Sequence, residues 1–379
     1  MSKKVAFYTL GCKLNFAETS SVGLQFLKNG FEIEDFNSKA DVYLINTCSV
    51  TDNADKECRR IVRRAMRNNP NAYIIVTGCY AQLRPGEVSS IPGVDLVLGS
   101  NEKFDVFDFA RDFIKSDVSC IYTAPVEGNS KFRAASSSDA DSRTRAFLKV
   151  QDGCDFPCTY CTIPKARGAS RSENPENVLI QAEQLIKEGY REIILTGVNV
   201  GDYGKNSEFD LASLLKSLVR INGDFRIRIS SIEPNLVTDE IITLVKNEEK
   251  LARHFHIPLQ SGSTEILKLM KRRYNKNLYI DRVHKIAEEI PDAGIGADVI
   301  SGFPGETEEH FAETYEFVDS LPLSYIHAFS YSERPGTPAI EYPGSVDPAE
   351  RRNRTNRLRD LGEGKKLGFH SRFVNSNLR

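Results

Sequence analysis

The stretch Val150-Gln-Asp-Gly-Cys-Asp-Phe-Pro-Cys-Thr-Tyr-Cys-Thr-Ile-Pro-Lys-Ala-Arg-Gly168 is the most informative part of this chain, because it arranges Cys154, Cys158 and Cys161 in a C-x3-C-x2-C loop. A four-iron four-sulfur (4Fe-4S) cluster normally takes four cysteines, so three leave one iron open to something other than protein. A zinc site would need a fourth Cys or His nearby, and the next such residue is His254. The spacing favours a cluster over zinc or three structural cysteines.

The composition indicates a protein of several domains from a reducing compartment. The 379 residues allow two or three domains, and the formal net charge of −2 gives no overall attraction to nucleic acid. The run after Met1-Ser-Lys-Lys4 is too short for a secretory signal, and no stretch approaches the length of a membrane span. Eight cysteines are too sparse for a disulfide scaffold, which favours metal ligation. We therefore expect a cytoplasmic protein without a membrane partner.

Short β-rich runs alternate with helical segments in the first 120 residues. We expect strands at residues 5–10, 41–45, 73–76 and 94–98, and helices ending near residue 30, at 52–68 and at 103–114. This alternation predicts a parallel α/β sheet with crossover helices. We assign residues 1–120 to this N-terminal domain.

Three further cysteines follow the first three of the four strands predicted in the N-terminal domain. Cys12, Cys48 and Cys79 each lie within about three residues of a strand end, and in parallel sheets the carboxyl ends of the strands share one edge. This placement predicts a second cluster, again with three protein thiolates. The alternative is three unrelated buried cysteines. Cys58, inside a predicted helix, and Cys120, near the end of the domain, are expected to be structural.

The remainder of the chain divides into a linker, a second α/β domain and a tail. Residues 121–143 are small and polar without apolar periodicity, which predicts a linker. Residues 144–345 contain six βα units, with strands expected at 147–151, 192–196, 226–230, 255–257, 296–300 and 325–329. Six units predict a partial (β/α)6 barrel, and the Cys154 loop follows its first strand, at the mouth where barrel chemistry occurs. Residues 346–379 form a basic tail.

The motifs, taken together and in order, resemble those of the methylthiotransferases, which are radical S-adenosylmethionine (SAM) enzymes with two clusters. Besides the Cys154 loop, the matching segments are Thr9-Leu-Gly-Cys-Lys-Leu-Asn15, Asn46-Thr-Cys-Ser-Val-Thr51, Gly78-Cys-Tyr-Ala-Gln82, Ser230-Ser-Ile-Glu-Pro234, His256-Ile-Pro-Leu-Gln-Ser-Gly262, Asp298-Val-Ile-Ser-Gly-Phe-Pro-Gly-Glu306 and Phe329-Ser-Tyr-Ser-Glu-Arg-Pro-Gly-Thr337. The resemblance implies a flavodoxin-like N-terminal domain followed by the radical SAM barrel.

The residues beside the N-terminal cysteines distinguish the branches of this family. Lys13, Val50-Thr51 and Tyr80 look like the branch that methylthiolates carbon 2 of N6-threonylcarbamoyladenosine at position 37 of tRNA, next to the anticodon. One alternative is the branch that modifies an aspartate of a ribosomal protein. Another is an iron-sulfur electron carrier that never cleaves SAM.

The resemblance also implies roles for individual residues and two SAM molecules per reaction. Cys154, Cys158 and Cys161 would be the catalytic cysteines that hold the SAM cluster, and Cys12, Cys48 and Cys79 would hold the second 4Fe-4S cluster. The candidates for contacts with SAM are Tyr160, Asn199, Glu233 and Gln260. Each has an ordinary alternative, as loop packing for the tyrosine or as a hydrogen-bonding residue at the barrel rim.

The partners implied are tRNA and a low-potential electron donor such as flavodoxin or ferredoxin, with the sulfur donor unassigned. Arginine clusters predict phosphate contacts. They are Arg59, Arg60, Arg63, Arg64 and Arg67; Lys271-Arg-Arg273; and Arg351, Arg352, Arg354, Arg357 and Arg359. The sequence ends at Arg379, where the family usually adds an RNA-binding TRAM-type domain, so we expect that domain to be absent, through truncation or by nature.

Overall fold

A computed structural model describes residues 2–49, 52–116, 118–126, 128, 131–137 and 144–376, with backbone only at residues 52–54. The chain forms two compact units. Unit 1 comprises Met1–Asp155, Thr162–Val198 and Gly204–Asn206, and unit 2 comprises Phe156–Cys161, Asn199–Tyr203 and Ser207–Arg379. The domain boundaries inferred from the sequence stay a prediction.

Unit 1 begins with a six-stranded parallel sheet in the order β2-β1-β3-β4-β5-β6. The first five strands have the order of the flavodoxin-like fold, so the predicted α/β fold class is confirmed. The elements are β1 Lys4–Thr9, α1 Lys13–Lys28, β2 Glu32–Glu34, β3 Val42–Thr47, α2 Asp52–Asn68, β4 Tyr73–Gly78, α3 Cys79–Leu83, α4 Pro85–Ser89, β5 Leu96–Leu98, α5 Val106–Phe109 and β6 Cys120–Tyr122.

The central strands β3 and β4 are buried along their whole length, because helices cover both faces of the sheet. Alternate side chains of β3 enter two separate cores. Tyr43 and Ile45 pack with Ile61 of α2, whereas Val42 and Leu44 belong to the core on the opposite face. The period of two along the strand thus explains why an uninterrupted apolar run is needed here.

The prediction of a helix at residues 103–114 is wrong in the length of the helix. A short 3-10 turn at Glu102–Asp105 leads into α5, which ends at Phe109. The chain then reverses through Phe113, whose φ of 50° lies in the left-handed region. This reversal brings the Phe113 ring to a centroid distance of 5.5 Å from the Phe26 ring, so packing of an aromatic ring outweighs continuation of the helix.

The rest of unit 1 adds a second parallel pair of strands. Its elements are β7 Arg145–Lys149, β8 Gln151–Asp152, α6 Ile163–Arg167, β9 Arg171–Ser172, α7 Pro175–Lys187 and β10 Glu192–Thr196. Strands β7 and β10 pair in parallel, and β8 pairs with β9 antiparallel. The side chain of Asn174 caps α7 by accepting a hydrogen bond from the Glu176 N–H over 2.8 Å, with Pro175 in the first turn.

Unit 2 continues the alternation of strands and helices. Its elements are α8 Leu211–Val219, β11 Arg226–Ile229, α9 Asp239–Asn247, β12 His254–His256, α10 Thr264–Leu269, α11 Lys276–Glu289, β13 Gly294–Ser301, α12 Glu308–Ser320, β14 Tyr325–Ser330 and α13 Pro348–Ser371. Strands β12, β13 and β14 pair in parallel. Across the described part of the chain, no helix is both long and apolar enough to traverse a bilayer.

Candidate functional site

Cys12, Cys48 and Cys79 lie at the carboxyl ends of β1, β3 and β4, which are neighbours in the sheet. Cys48 directly follows Thr47 and Cys79 directly follows Gly78, and these two preceding residues are partners in the strand register. Neighbouring strands are about 4.8 Å apart, so the three cysteines share one short stretch of the sheet edge. Their role as ligands stays a prediction from the sequence.

Two glycines allow the close backbone approach at this edge. Gly11 has a φ of 98°, and a Cβ there would lie 2.7 Å from the Cβ of Cys48. Gly78 has a φ of 97°, and a Cβ there would lie 2.4 Å from the carbonyl oxygen of Thr47. Any side chain would collide at both positions, so the cysteine loops require glycine here.

Asparagine side chains hold the loops that carry these cysteines. The amide of Asn15 donates to the carbonyl oxygens of Leu10 over 2.8 Å and Thr47 over 3.1 Å. The amide of Asn46 donates in turn to the Asn15 carbonyl oxygen over 3.1 Å. These buried bonds tie the loops after β1 and β3 to helix α1, which fixes the positions of Cys12 and Cys48.

The three thiols differ in exposure and in electrostatic surroundings. Cys12 is exposed, Cys48 is half-buried and Cys79 is buried. Burial raises the pKa of the Cys79 thiol, and the positive charges of Arg167 and Lys103 oppose that increase. Burial outweighs these charges, so the pKa of the Cys79 thiol is raised overall.

The spread of these thiols suits a cluster better than a single ion. Tetrahedral zinc with Zn–S bonds of about 2.3 Å would bring its sulfur ligands to roughly 3.8 Å from one another. Among the described residues, the sole set of three or more His, Cys, Asp or Glu ligand atoms within 4.8 Å is His256, Asp298 and His327. In a cluster each cysteine binds a different iron, so the sulfurs need not converge on one point.

The histidine-aspartate set of unit 2 is a hydrogen-bonded chain. Nε2 of His256 lies 3.1 Å from one Asp298 oxygen, Nδ1 of His327 lies 3.2 Å from the other, and Nδ1 of His256 lies 3.3 Å from the Tyr325 hydroxyl. Burial raises the pKa of Asp298, but the hydrogen bonds from both histidines outweigh it and lower that pKa overall. These hydrogen bonds account for the short distances in the set.

The Cys154 loop begins with a tight turn in unit 1. Gly153 has a φ of 71°, and a Cβ there would lie 2.0 Å from the Ala169 carbonyl oxygen. The Cys154 N–H donates to the Gly168 carbonyl oxygen over 3.0 Å. The first cysteine of the loop is thus joined directly to the last residue of the quoted stretch, and Cys154 is half-buried.

The later part of this loop is anchored within unit 2. The Cys161 N–H donates to the Cys158 carbonyl oxygen over 3.1 Å, and the Thr159 N–H donates to the Met270 carbonyl oxygen over 3.2 Å. The Tyr160 ring contacts the edge of Phe303, with 6.4 Å between ring centroids. Tyr160 therefore has the loop-packing contacts of its ordinary alternative, and its contact with SAM stays a prediction.

Arg272 is a functional candidate whose expected role in RNA binding is wrong. It belongs to a basic run of the sequence, yet its side chain is only 3% exposed and pairs with Glu233. Its Nη1 donates to the Sγ of Cys158 over 3.0 Å and to the Tyr160 hydroxyl over 3.3 Å. Burial raises the pKa of the Cys158 thiol, while Arg272 acts to lower it. The basic run itself contained no signal of this contact.

The other SAM candidates occupy two places in unit 2. The Asn199 side-chain oxygen accepts a hydrogen bond from the Glu233 N–H over 3.2 Å, so these two are adjacent. Gln260 lies elsewhere, where its N–H donates to the Asp298 carbonyl oxygen over 2.7 Å. Its φ of 67° is unusual for a residue other than glycine, and such strain is common at functional positions.

The predicted arginine clusters are only partly available to RNA. On α2, Arg63 and Arg67 are exposed, whereas the Arg64 guanidinium stacks 4.9 Å from the rings of both Tyr8 and Phe36. On α13, Arg351 and Arg354 are buried; Nη1 of Arg354 lies 2.8 Å from Glu306. These buried arginines stabilise the packing of α13, so the expectation that they contact phosphate is wrong.

Comparison with known proteins identifies two matching family models. The model described as "Radical SAM superfamily" matches residues 148–318, and that described as "Uncharacterized protein family UPF0004" matches residues 4–99.

Two relatives are similar over nearly the whole chain. "Threonylcarbamoyladenosine tRNA methylthiotransferase MtaB" of Bacillus subtilis (strain 168) is 43% identical over 99% of this chain and 83% of its own length. The protein of the same name from Aquifex aeolicus (strain VF5) is 38% identical over 99% of this chain and 92% of its own length.

Among solved structures, the radical S-adenosylmethionine methyltransferase TsrM from Kitasatospora setae, with cobalamin and a 4Fe-4S cluster bound, has a similar fold. It aligns with a TM-score of 0.65 at 16% identity, over 90% of this chain and 77% of its own.

Proposed function

Because the chain belongs to the radical SAM methylthiotransferase family, we propose that it adds a methylthio group to carbon 2 of N6-threonylcarbamoyladenosine at position 37 of tRNA. The observation that supports this most directly is the meeting of Cys12, Cys48 and Cys79 at one sheet edge of a chain that also contains the C-x3-C-x2-C loop. An electron carrier would have no reason to leave an iron open in each of two ligand sets.

The cofactors are 4Fe-4S clusters and SAM. We assign one cluster to Cys154, Cys158 and Cys161 and a second to Cys12, Cys48 and Cys79, with two SAM molecules used per product. A cluster held by Cys154, Cys158 and Cys161 would supply the electron for the cleavage of SAM, and one held by Cys12, Cys48 and Cys79 would supply a soft binding site for the sulfur that is transferred. A radical route suits the substrate, because carbon 2 of adenine is not activated toward polar attack.

The side chains around the Cys154 loop would orient SAM and adjust the electrostatics. Arg272 places a positive charge beside the Cys158 sulfur and holds Glu233 by an ion pair. The adjacent Asn199 and Glu233 offer polar groups for the amino and ribose parts of SAM, and the strained Gln260 offers a further amide. The ring of Tyr160 would lie against the adenine of SAM.

The reaction requires tRNA, a reductant and sulfur. Arg63 and Arg67 are exposed on α2, the helix that follows Cys48, and can meet the phosphates of tRNA. A low-potential donor such as flavodoxin or ferredoxin would reduce the clusters, and the chemistry of the site does not specify the sulfur donor. We place the protein in the cytoplasm, where its tRNA substrate is found.

Nucleoside mass spectrometry of total tRNA tests this function. A strain without the gene should lack 2-methylthio-N6-threonylcarbamoyladenosine and accumulate the unthiolated nucleoside. A wild-type copy or one with Cys120→Ala should restore the product, because Cys120 is exposed and lies outside both ligand sets. A copy with Cys48→Ala should not restore it.

Other outcomes of this experiment would direct the search elsewhere. An unchanged tRNA profile in the deletion strain would contradict the proposed substrate, and ribosomal proteins would then be examined for a methylthio group on aspartate. Absence of 5′-deoxyadenosine from purified, reconstituted and reduced enzyme would contradict radical SAM chemistry and favour an electron carrier.

A further inference from the structure

Unit 1 contains a largely buried network of six charged side chains next to the cysteine edge of the sheet. We name it the Glu18 charge network, and its members are Glu18, Lys103, Lys149, Asp152, Arg167 and Arg171. None of them is assigned above as a cluster ligand or as a contact to SAM or tRNA. Charged side chains are rarely buried to this extent unless they are paired, so the pairing within the network is informative.

Glu18 lies at the centre of the network and is fully buried. Its carboxylate oxygens lie 2.5 Å from the Lys103 Nζ, 2.8 Å from the Lys149 Nζ and 2.9 Å from the Arg167 Nη1. Burial raises the pKa of Glu18, but Arg167, Lys103 and Lys149 together hold that pKa well below its usual range. Glu18 is therefore ionised at neutral pH.

Asp152 forms the second anionic centre. Its oxygens lie 2.7 Å from the Lys149 Nζ and 3.0 Å from both the Arg167 Nη1 and the Arg171 Nη2. The network thus combines two carboxylates with four cations, a formal excess of two positive charges, and every member except the half-buried Arg171 is buried. Burial of uncompensated charge is unfavourable, so this excess calls for an anion nearby.

The network adjoins the loops of Cys12, Cys48 and Cys79. Helix α6, which ends at Arg167, packs against α3, which begins at Cys79. Nη2 of Arg167 donates to the Asn15 side-chain oxygen over 2.7 Å, and the Asn15 amide donates to the Thr47 carbonyl oxygen just before Cys48. One hydrogen-bonded path therefore leads from the positive charges to the cysteine edge.

We propose that the Glu18 charge network is the counter-charge of an anionic 4Fe-4S cluster on Cys12, Cys48 and Cys79 and raises the reduction potential of that cluster. This inference rests on the ligand assignment in the proposed function. Three thiolates make such a cluster anionic, and nearby charge is one of the factors that set a cluster's potential. Lys103, Arg167 and Glu18 are buried and act as positioning and tuning residues through the cluster.

Redox titration monitored by electron paramagnetic resonance tests the proposal in full-length protein. Replacement of Cys154, Cys158 and Cys161 by alanine leaves only the second cluster to be observed. In this background Lys103→Met removes a positive charge and should shift the midpoint potential in the negative direction. Glu18→Gln removes a negative charge and should shift the potential in the positive direction.

The opposite signs separate an electrostatic role from a structural one. Both substitutions break the same ion pair, so a purely structural role would move the potential in the same direction or not at all, and either result would overturn the proposal. Lys115→Met is the matched control, because its Nζ pairs with buried Asp95 over 2.9 Å at the start of β5, the opposite edge of the sheet. The control should leave the potential unchanged.

Arg171→Gln keeps the test decisive if the central substitutions prevent folding. Within the network Arg171 forms an ion pair with Asp152, and it is less buried than the other cations, so its loss should be tolerated and give a smaller negative shift. An unchanged potential in a folded Arg171→Gln protein, with the other variants unfolded, would overturn the proposal. If the triple-alanine background binds no cluster, the ligand assignment itself is wrong, which is a separate failure.

Discussion

The guanidinium of Arg272 donates a hydrogen bond to the sulfur of Cys158 over 3.0 Å. Arg272 is 114 residues further along the chain and is held in place by Glu233 and by the ring of Tyr274, 5.1 Å from its guanidinium carbon. Hydrogen bonds to cluster sulfurs are one of the means by which a protein adjusts cluster potential. Arg272 is therefore expected to affect SAM cleavage without being a ligand.

Arg272→Gln should slow reductive SAM cleavage by about tenfold or more, because a hydrogen bond to a charged group contributes about 1.5–3 kcal/mol. The measurement is the rate of 5′-deoxyadenosine formation under dithionite. Arg253→Gln is the matched control, since its exposed guanidinium pairs with Asp292 over 2.8 Å. Equal rates in both variants would contradict the role given to Arg272.

Substitutions in the two cysteine sets should have different effects on SAM cleavage and on methylthiolation. Cys158→Ala should lose the SAM cluster and all turnover, because the electron for SAM cleavage then has no source. Cys48→Ala should retain 5′-deoxyadenosine formation but lose methylthiolation of tRNA. Iron analysis, together with both product assays, checks the pair of variants, and methylthiolation by Cys48→Ala would show that the second ligand set is assigned wrongly.

Gly78→Ala should destabilise unit 1 and reduce the cluster bound there. The new Cβ would collide with the Thr47 carbonyl oxygen, and the backbone region at a φ of 97° is nearly exclusive to glycine, with a cost of about 1–3 kcal/mol before any clash. Urea denaturation and iron content provide the measurements. Gly86→Ala in α4, where a Cβ meets nothing within 4 Å, should behave as wild type.

Cys58 should resist alkylation while Cys120 reacts. Burial raises the pKa of the Cys58 thiol to about 12, so at pH 8 the group stays protonated and unreactive. Cys120 is exposed on β6. Peptide mass spectrometry after iodoacetamide treatment of the cluster-loaded enzyme compares the two, and rapid labelling of Cys58 in the folded protein would refute the prediction.

Substitution of both Arg63 and Arg67 by Gln should lower the affinity for tRNA. It should also make that affinity less dependent on the salt concentration. Each lost phosphate contact lowers the slope of log affinity against log salt by about 1, so we expect a decrease of about 2. Binding measured across a salt series gives the slope. Arg253→Gln, an exposed arginine of unit 2 paired with Asp292 over 2.8 Å, should leave it unchanged.

Local pattern in the sequence was enough to predict much of the fold. The strand at residues 192–196 and the helix at residues 52–68 have the bounds that periodicity indicated. Placement of Cys12, Cys48 and Cys79 at one edge also followed, because parallel strands with crossover helices bring their carboxyl ends together. Features that depend on neighbours along the chain, or on the general geometry of a parallel sheet, are present in the sequence itself.

Pairings between distant side chains were decided only by tertiary structure. The local sequence around Arg272 and Arg354 predicts surface charges. In the folded chain, however, Arg272 contacts the Cys158 sulfur and Arg354 pairs with Glu306. Likewise Glu18 meets Arg167 across 149 residues of sequence. A basic residue has the same local pattern whether it faces solvent or a buried carboxylate, since its partner is set by the packing of whole elements. The sequence by itself therefore determined the strand ends and the cysteine spacing, and the folded chain determined which charges surround them.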